Sequence, residues 1–272
     1  MVTVRWLGAA GLELTADGQT VLIDPYLSRP GKREIFFSRL TPNEAAITRY
    51  LAGLPGRLTA VTVGHTHVDH ALDIPEIARR SQCPIFGGRS LDVLLGLHGL
   101  SGRVTVVESP RPFSPARGIT IEMLPSAHGR VILGRIPYPG SIRPGLRPPL
   151  KATDYRLGEV YATKITMAGK TFLHFGSANF IPAAIAGHRC QVLFVCVPGW
   201  RRTPGYPRLL LDGLEPETVV PFHFDDFTVP LPASGRFKRL PFLGMRGFLE
   251  MVKTCRPQAD IHLPEPGRPI TF

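Results

Sequence analysis

No stretch of this 272-residue chain stays apolar for the length a membrane-spanning helix needs, so a helical channel or transporter is excluded as a reading. Cysteine is scarce. Cys83, Cys190, Cys196 and Cys255 lie far apart without C-x-x-C spacing, and Cys196 falls inside the apolar run at 192–197, which makes buried, reduced thiols the expectation. The first residues lack the basic head and apolar core of a secretory leader and instead begin a strand-like alternation containing Arg5 and Glu13, so a cytoplasmic protein is expected. Acidic residues are in deficit: 21 against 32 Lys and Arg, a formal charge of +11. That balance favours anionic partners and says nothing about fold. Most of the basic residues are arginine, whose planar fork suits carboxylate and phosphate, although an arginine-rich solvated surface is the plainer alternative.

What is present suits one large layered α/β unit covering 1–272, since 43% hydrophobic residues can build a substantial core. Alternation predicts strands at 2–7, 12–15 and 20–24 with a turn at Asp17-Gly18. The stretch at 30–33 reads as loop, and Thr41-Pro42-Asn43-Glu44 reads as a helix start with Thr41 as its cap, the helix ending near Gly53. Further strands are expected at 59–63, 84–86, 104–107, 119–124, 159–166, 170–175, 192–197, 218–221 and finally 261–263. Helices are expected at 74–80, 90–97, near 181–186 and at 243–255, the last with Leu243, Phe248, Met251, Val252 and Cys255 on one face. Two irregular insertions rich in proline, arginine and large apolar residues, at about 130–151 and 228–242, read as loops overhanging a site. The two halves show no internal repeat.

One segment is denser in chemistry than any other. Val61-Thr62-Val63-Gly64 leads into His65-Thr66-His67-Val68-Asp69-His70, three imidazoles and a carboxylate within six residues. If the backbone stays extended past Gly64, His65 and His67 leave it on the same side and can share one ion. Asp69 and His70, where the chain turns towards a helix, can reach a second. Imidazole nitrogen with carboxylate oxygen suits zinc first, with manganese or iron as alternatives.

His65-Thr66-His67-Val68-Asp69-His70 resembles the H-x-H-x-D-H signature of the metallo-β-lactamase superfamily, and the opening residues 4–14 with Val21-Leu22-Ile23-Asp24-Pro25 resemble that family's first hairpin. The resemblance spans about 4–227 and implies an αββα sandwich. It implies that His65, His67 and His128 hold one divalent ion, while Asp69, His70 and His223 hold another. It also implies a metal-bound hydroxide as nucleophile, with Asp69 and His70 part of the catalytic machinery and no serine or cysteine nucleophile needed. His223 fits by parity as well, opposite Phe222 and Phe224. The departure is at Gly176-Ser177-Ala178-Asn179, where most hydrolases of the superfamily have a bridging aspartate and this chain has Ser177. Asp24 is a candidate acceptor behind a ligand histidine. His98, His174, His188 and His262 read as structural or solvent-facing. Tyr155, Arg156, Trp200, Arg201 and Asp226 are candidate substrate contacts carried on loops.

The expectation is a metal-dependent hydrolase that cleaves an ester, lactone or phosphodiester in an anionic small molecule or lipid. The opening hairpin is most similar to the branch of phosphorylated-ascorbate lactonases and phospholipid phosphodiesterases. A nuclease of the same fold is disfavoured because no RNA-gripping domain is visible, leaving the positive charge as its argument. A metal-binding sensor without turnover is the other alternative, motivated by Ser177.

Overall fold

A computed structural model describes residues 1–108, 110–232 and 236–272. Part of the expected insertion at 228–242, namely 233–235, lies outside the described residues. Strand alternation sets up the opening meander: β1 (Thr3–Gly8), β2 (Gly11–Ala16) and β3 (Gln19–Ile23) pair antiparallel. Asp17 and Gly18 both take positive φ (49° and 71°), the left-handed pair a two-residue hairpin needs. Then follow α1 (Lys32–Phe37), β4 (Arg39–Leu40), α2 (Glu44–Ala52), β5 (Arg57–Thr62), α3 (Val68–Ala71), α4 (Ile74–Arg80), β6 (Ile85–Gly87), α5 (Arg89–Leu97) and β7 (Val104–Val106). The second half supplies β8 (Pro112–Ala116), β9 (Ile119–Pro125), β10 (Leu150–Lys151), β11 (Tyr161–Met167), β12 (Lys170–Phe175), α6 (Pro182–Ile185), β13 (Val192–Cys196), α7 (Arg208–Leu214), β14 (Thr218–Phe222), α8 (Met245–Cys255), β15 (Asp260–Ile261) and β16 (Pro269–Thr271).

Two seven-stranded sheets result, ordered β16-β1-β2-β3-β5-β6-β7 and β15-β14-β13-β12-β11-β9-β8, with β10-β4 as a separate pair. Parity along each strand explains how they stack. Val4, Trp6, Leu12, Leu14, Val21 and Ile23 of the first sheet join Ile121, Met123, Ile165 and Phe172 of the second in one apolar core. The opposite face of the first sheet, with Leu22 and Val61, buries against Ile47, Ile77, Leu91 and Leu94 of α2, α4 and α5. Leu210, Leu214, Phe248 and Val252 bring α7 and α8 into the core that the second sheet shares. The layering is helix, sheet, sheet, helix, as expected of an αββα sandwich. Among the described residues, no helix is long and apolar enough to cross a membrane.

Several local expectations need correction. The expected loop at 30–33 gives way at Lys32 to a helix running to Phe37, because Glu34 reaches back to the Gly31 N–H (2.7 Å) and closes its first turn. Asn43, not Thr41, caps α2, since its Oδ1 accepts from the Ala46 N–H at 3.0 Å. The chain does not close on the strand near 261: β16 returns to pair with β1 and covers that edge. β8 carries prolines that disfavour a strand, yet on the sheet edge they cost no ladder bond. α7 is a further helix with no expected counterpart, and on α8 Met251 is exposed while Phe248 and Val252 are buried.

Candidate metal centre

Each residue of the site follows the C-terminal end of a strand: Asp24 after β3, His65 and His67 after β5, His128 after β9, Ser177 after β12 and His223 after β14. Beyond β5 the chain bends at Gly64 and reaches His67, whose φ and ψ of −62° and 157° are those of an extended helix cap. The Thr66 N–H donates to the Leu157 carbonyl (2.9 Å), and the Thr66 hydroxyl lies 2.9 Å from Ser90 Oγ. Thr66 is thereby turned away and its neighbours face the site. Helix α3 then begins, with Ala71 N–H donating to the His67 carbonyl (3.0 Å), and it carries Asp69 and His70.

These residues gather into two trios. His65, His67 and His128 offer ligand atoms within 4.8 Å of one another, and so do Asp69, His70 and His223. The His65 and His70 rings, 3.7 Å apart between centroids, bring the trios side by side. Hydrogen bonds select which ring atom is free. His67 Nε2 is 2.9 Å from the Pro137 carbonyl, leaving Nδ1, and His128 Nδ1 is 2.7 Å from the Gly129 carbonyl, leaving Nε2. His65 Nε2 is buried without any hydrogen-bond partner. A buried imidazole nitrogen that nothing satisfies, beside two others freed in the same way, suits a divalent cation.

The second trio is built around charge. Asp69 Oδ2 lies 3.3 Å from His223 Nε2 and 3.7 Å from His70 Nε2. Behind His70, Asp24 Oδ2 stands 2.9 Å from Nδ1, and Asp24 Oδ1 accepts the Gly64 N–H at 2.6 Å. A carboxylate at that distance favours the tautomer that carries its proton on Nδ1 and presents Nε2. A Cβ at Gly176 would sit 2.9 Å from Asp24 Oδ2 and 3.2 Å from His70 Cε1, so only glycine lets β12 end this close behind the pair. His223 takes a left-handed φ of 64°, unusual for a non-glycine residue. Asp225 anchors the segment, accepting the Ala9 N–H (2.9 Å) and pairing with Arg29 Nη2 (2.6 Å), both ends of that ion pair being buried.

Burial pushes the first trio's imidazoles towards neutrality: His65 falls well below its ordinary value, His67 to about 4 and His128 to about 3, with neighbouring imidazoles adding to the effect on His65 and His128. For Asp69, burial opposes ionisation, but the His70 and His223 imidazoles outweigh it and hold the carboxyl well below the usual range. For His70, burial opposes protonation and the Asp24 and Asp69 carboxylates outweigh it, raising the ring. The first trio is thus a set of neutral nitrogens, whereas the second holds an ionised carboxylate among its imidazoles.

Ser177 is buried beside the trios, its Oγ accepting the Gly129 N–H at 2.9 Å. Both trios open into one cavity of about 640 Å³. Trp200 and Arg201 line it as anticipated, and so do Val131, Ile132 and Tyr138 from the first insertion and Leu240 and Phe242 from the second. Three anticipated contacts are elsewhere. Tyr155 is buried in the apolar core on the helical side of the first sheet, Arg156 donates to the Pro139 carbonyl, and Asp226 is buried and ion-paired with Lys32 and Lys238. Ile35 and Phe36 of α1 also line the cavity, and no sequence pattern points to them because their helix is too short to show an apolar period.

A helix-sheet-sheet-helix sandwich with an H-x-H-x-D-H loop at its strand ends defines a class. Residues 3–223 match the model of the beta-lactamase superfamily domain, and the chain belongs to that superfamily. Among relatives, a UPF0173 metal-dependent hydrolase of Ignicoccus hospitalis is 25% identical over 277 residues, spanning all of this chain and 99% of its own length. One from Hyperthermus butylicus is 28% identical over 238 residues, 83% of this chain and 85% of its own. Among solved structures, Igni18, a metallo hydrolase from Ignicoccus hospitalis, superposes with a TM-score of 0.66 at 22% identity, covering 100% of this chain and 98% of its own. CmlA, a diiron beta-hydroxylase from Streptomyces venezuelae, gives 0.63 at 16% identity, with 100% of this chain and 54% of its own covered. The shared property at these identities is the fold.

Proposed function

We propose that the protein is a metal-dependent hydrolase whose two trios each hold a divalent ion, zinc first and manganese or iron as alternatives. Its substrate is an ester, lactone or phosphodiester in an anionic, partly apolar molecule. The observation that carries this reading is the pair of adjacent trios sharing one open cavity. Bound there, the ions supply Lewis acidity that polarises a carbonyl or phosphoryl oxygen and lowers the pKa of water to about 7. The chain's own residues do the rest. Asp24 orients His70, Asp69 places a negative charge between His70 and His223, and Arg201 and Arg202 on the cavity wall attract an anionic group. Trp200, Ile132 and Leu243 give that wall an apolar side. No side-chain nucleophile competes among the described cavity residues: Ser177 Oγ already accepts a hydrogen bond and no histidine pairs with it, while burial pushes the Cys196 thiol far up. The four free cysteines, three of them buried, support a reducing compartment such as the cytoplasm.

The test is a substrate panel on metal-loaded protein: carboxylic esters, lactones, phosphodiesters, β-lactams and RNA. Turnover of an ester, lactone or phosphodiester supports the proposal. Cleavage of RNA alone would replace it with a nuclease, and tight metal binding without turnover of anything would replace it with a sensor.

A further inference from the structure

Water-facing surfaces seldom cluster large apolar side chains, and such a cluster marks a contact with something apolar. Here the cluster stands at the mouth of the metal cavity. Phe36 is 69% exposed, Ile132 55% and Phe242 99%, and all three line the cavity. Their chain neighbours Phe37 and Leu133 are 82% and 90% exposed. The side chains come from three separate segments, a helix and two loops, so one irregular turn does not account for them.

The same segments are basic. Arg33 lies on α1, Arg130 and Arg135 flank the apolar tip at 131–134, and Arg201 and Arg202 stand on the cavity wall. Lys32 is partly neutralised by Asp226 at 3.5 Å, but no described carboxylate forms an ion pair with those five arginines. α1 carries one carboxylate, Glu34, which accepts the Gly31 N–H, and the sequence has no Asp or Glu from 123 to 153, from 160 to 211 or from 227 to 249, so the loops of the rim have little local counter-charge. Exposed aromatic and aliphatic side chains set among unpaired arginines are the two ingredients of interfacial binding. The first enter the headgroup boundary, and the second meet anionic headgroups.

We propose that this rim is a docking surface for an anionic lipid bilayer and seats the cavity mouth against the membrane. A second copy of the chain is the competing occupant, but it would bring two arginine-rich rims together, whereas an anionic surface complements them. The proposal concerns binding and stands whether or not the metal centre turns over.

The experiment is co-sedimentation of the full chain with phosphatidylcholine vesicles, with and without phosphatidylglycerol, together with size-exclusion chromatography. Wild type should sediment with the anionic vesicles, not with the neutral ones, and should be released by salt. The double variant Phe37→Ser with Leu133→Ser should bind at least about tenfold more weakly. Arg130→Glu with Arg135→Glu should do the same, and neither should move the thermal midpoint, because all four side chains are exposed. Absence of binding to anionic vesicles, or a double variant binding as wild type, would overturn the proposal. So would a dimer that the same substitutions dissociate while vesicles are ignored. The readout needs no turnover, so its failure leaves the hydrolase reading intact, and failure of that reading leaves this one intact.

Discussion

Replacing Asp24 with asparagine keeps the side chain's shape and removes the charge behind His70. The amide oxygen can still accept the Gly64 N–H that Asp24 Oδ1 now accepts at 2.6 Å. The amide nitrogen then takes the place of Oδ2, 2.9 Å from His70 Nδ1, and it can only donate. His70 must accept at Nδ1 and carry its proton on Nε2, the atom that faces Asp69 and His223. A ligand in the wrong tautomer weakens the ion it serves. Losing such a partner typically costs 10- to 100-fold in metal affinity, about 1.4–2.7 kcal/mol. Calorimetric titration of metal-stripped protein should show the Asp69, His70, His223 step weakened by that amount, with the His65, His67, His128 step unchanged. Stability should move by less than about 1 kcal/mol, because the Gly64 N–H keeps its acceptor. Asp24→Ala strands both buried groups and should lose about 1–3 kcal/mol in urea as well. Two unaltered binding steps in Asp24→Asn would refute the role given to Asp24.

Three further outcomes follow from the same geometry. Ser177→Asp adds a carboxylate beside both trios and should tighten the weaker of two metal-binding steps, while slowing turnover because a better-neutralised metal polarises less; unchanged titration would show that Ser177 is not in the bridging position. Arg29→Ala leaves buried Asp225 charged and unpaired and should cost about 3–5 kcal/mol in chemical denaturation, a loss near zero being inconsistent with the pair's burial. In metal-free protein, burial depresses His65, His67, His128 and His174 below the unfolded value of about 6.5, so the unfolded chain takes up protons that the folded one refuses. Stability should therefore fall as pH drops from 7 to 5. His70, which is raised, and Asp73, which burial raises to about 6, act in the opposite direction but are fewer, and a thermal midpoint that climbs over this range would contradict the balance.

Legibility in the sequence followed the range of the interaction. Strands whose parity is set by one buried face, such as β12 and the opening meander, could be read from alternation alone, and so could α4 with its Pro75 in the first turn. The end of β5 before Gly64 was readable from its β-branched residues, although an extended run past Gly64 was not, since the chain bends there; the six residues that the structure gathers were nameable because four lie in six positions. What could not be read depends on contacts far along the chain. β16 forms because β1 offers a free edge at the other end of the chain, whereas helix α1 is the exception, closed by a local bond in which Glu34 accepts the Gly31 N–H three residues earlier. Tyr155 looks like a polar loop aromatic until the fold buries it in the apolar core. Gly176, Arg29 and Asp225 carry no local motif, since their roles lie in what approaches them across the sandwich.

The central claim is that the two trios hold ions on which turnover depends. The direct measurement is activity on the best substrate of the panel for protein stripped by chelation, for the same protein reloaded with zinc or manganese, and for His67→Ala, with metal content determined by elemental analysis. The account predicts loss of turnover on stripping, recovery on reloading, and a His67→Ala protein that binds less metal and stays inactive, because two remaining ligands rarely hold a catalytic ion. Full turnover in protein shown to be metal-free would contradict it.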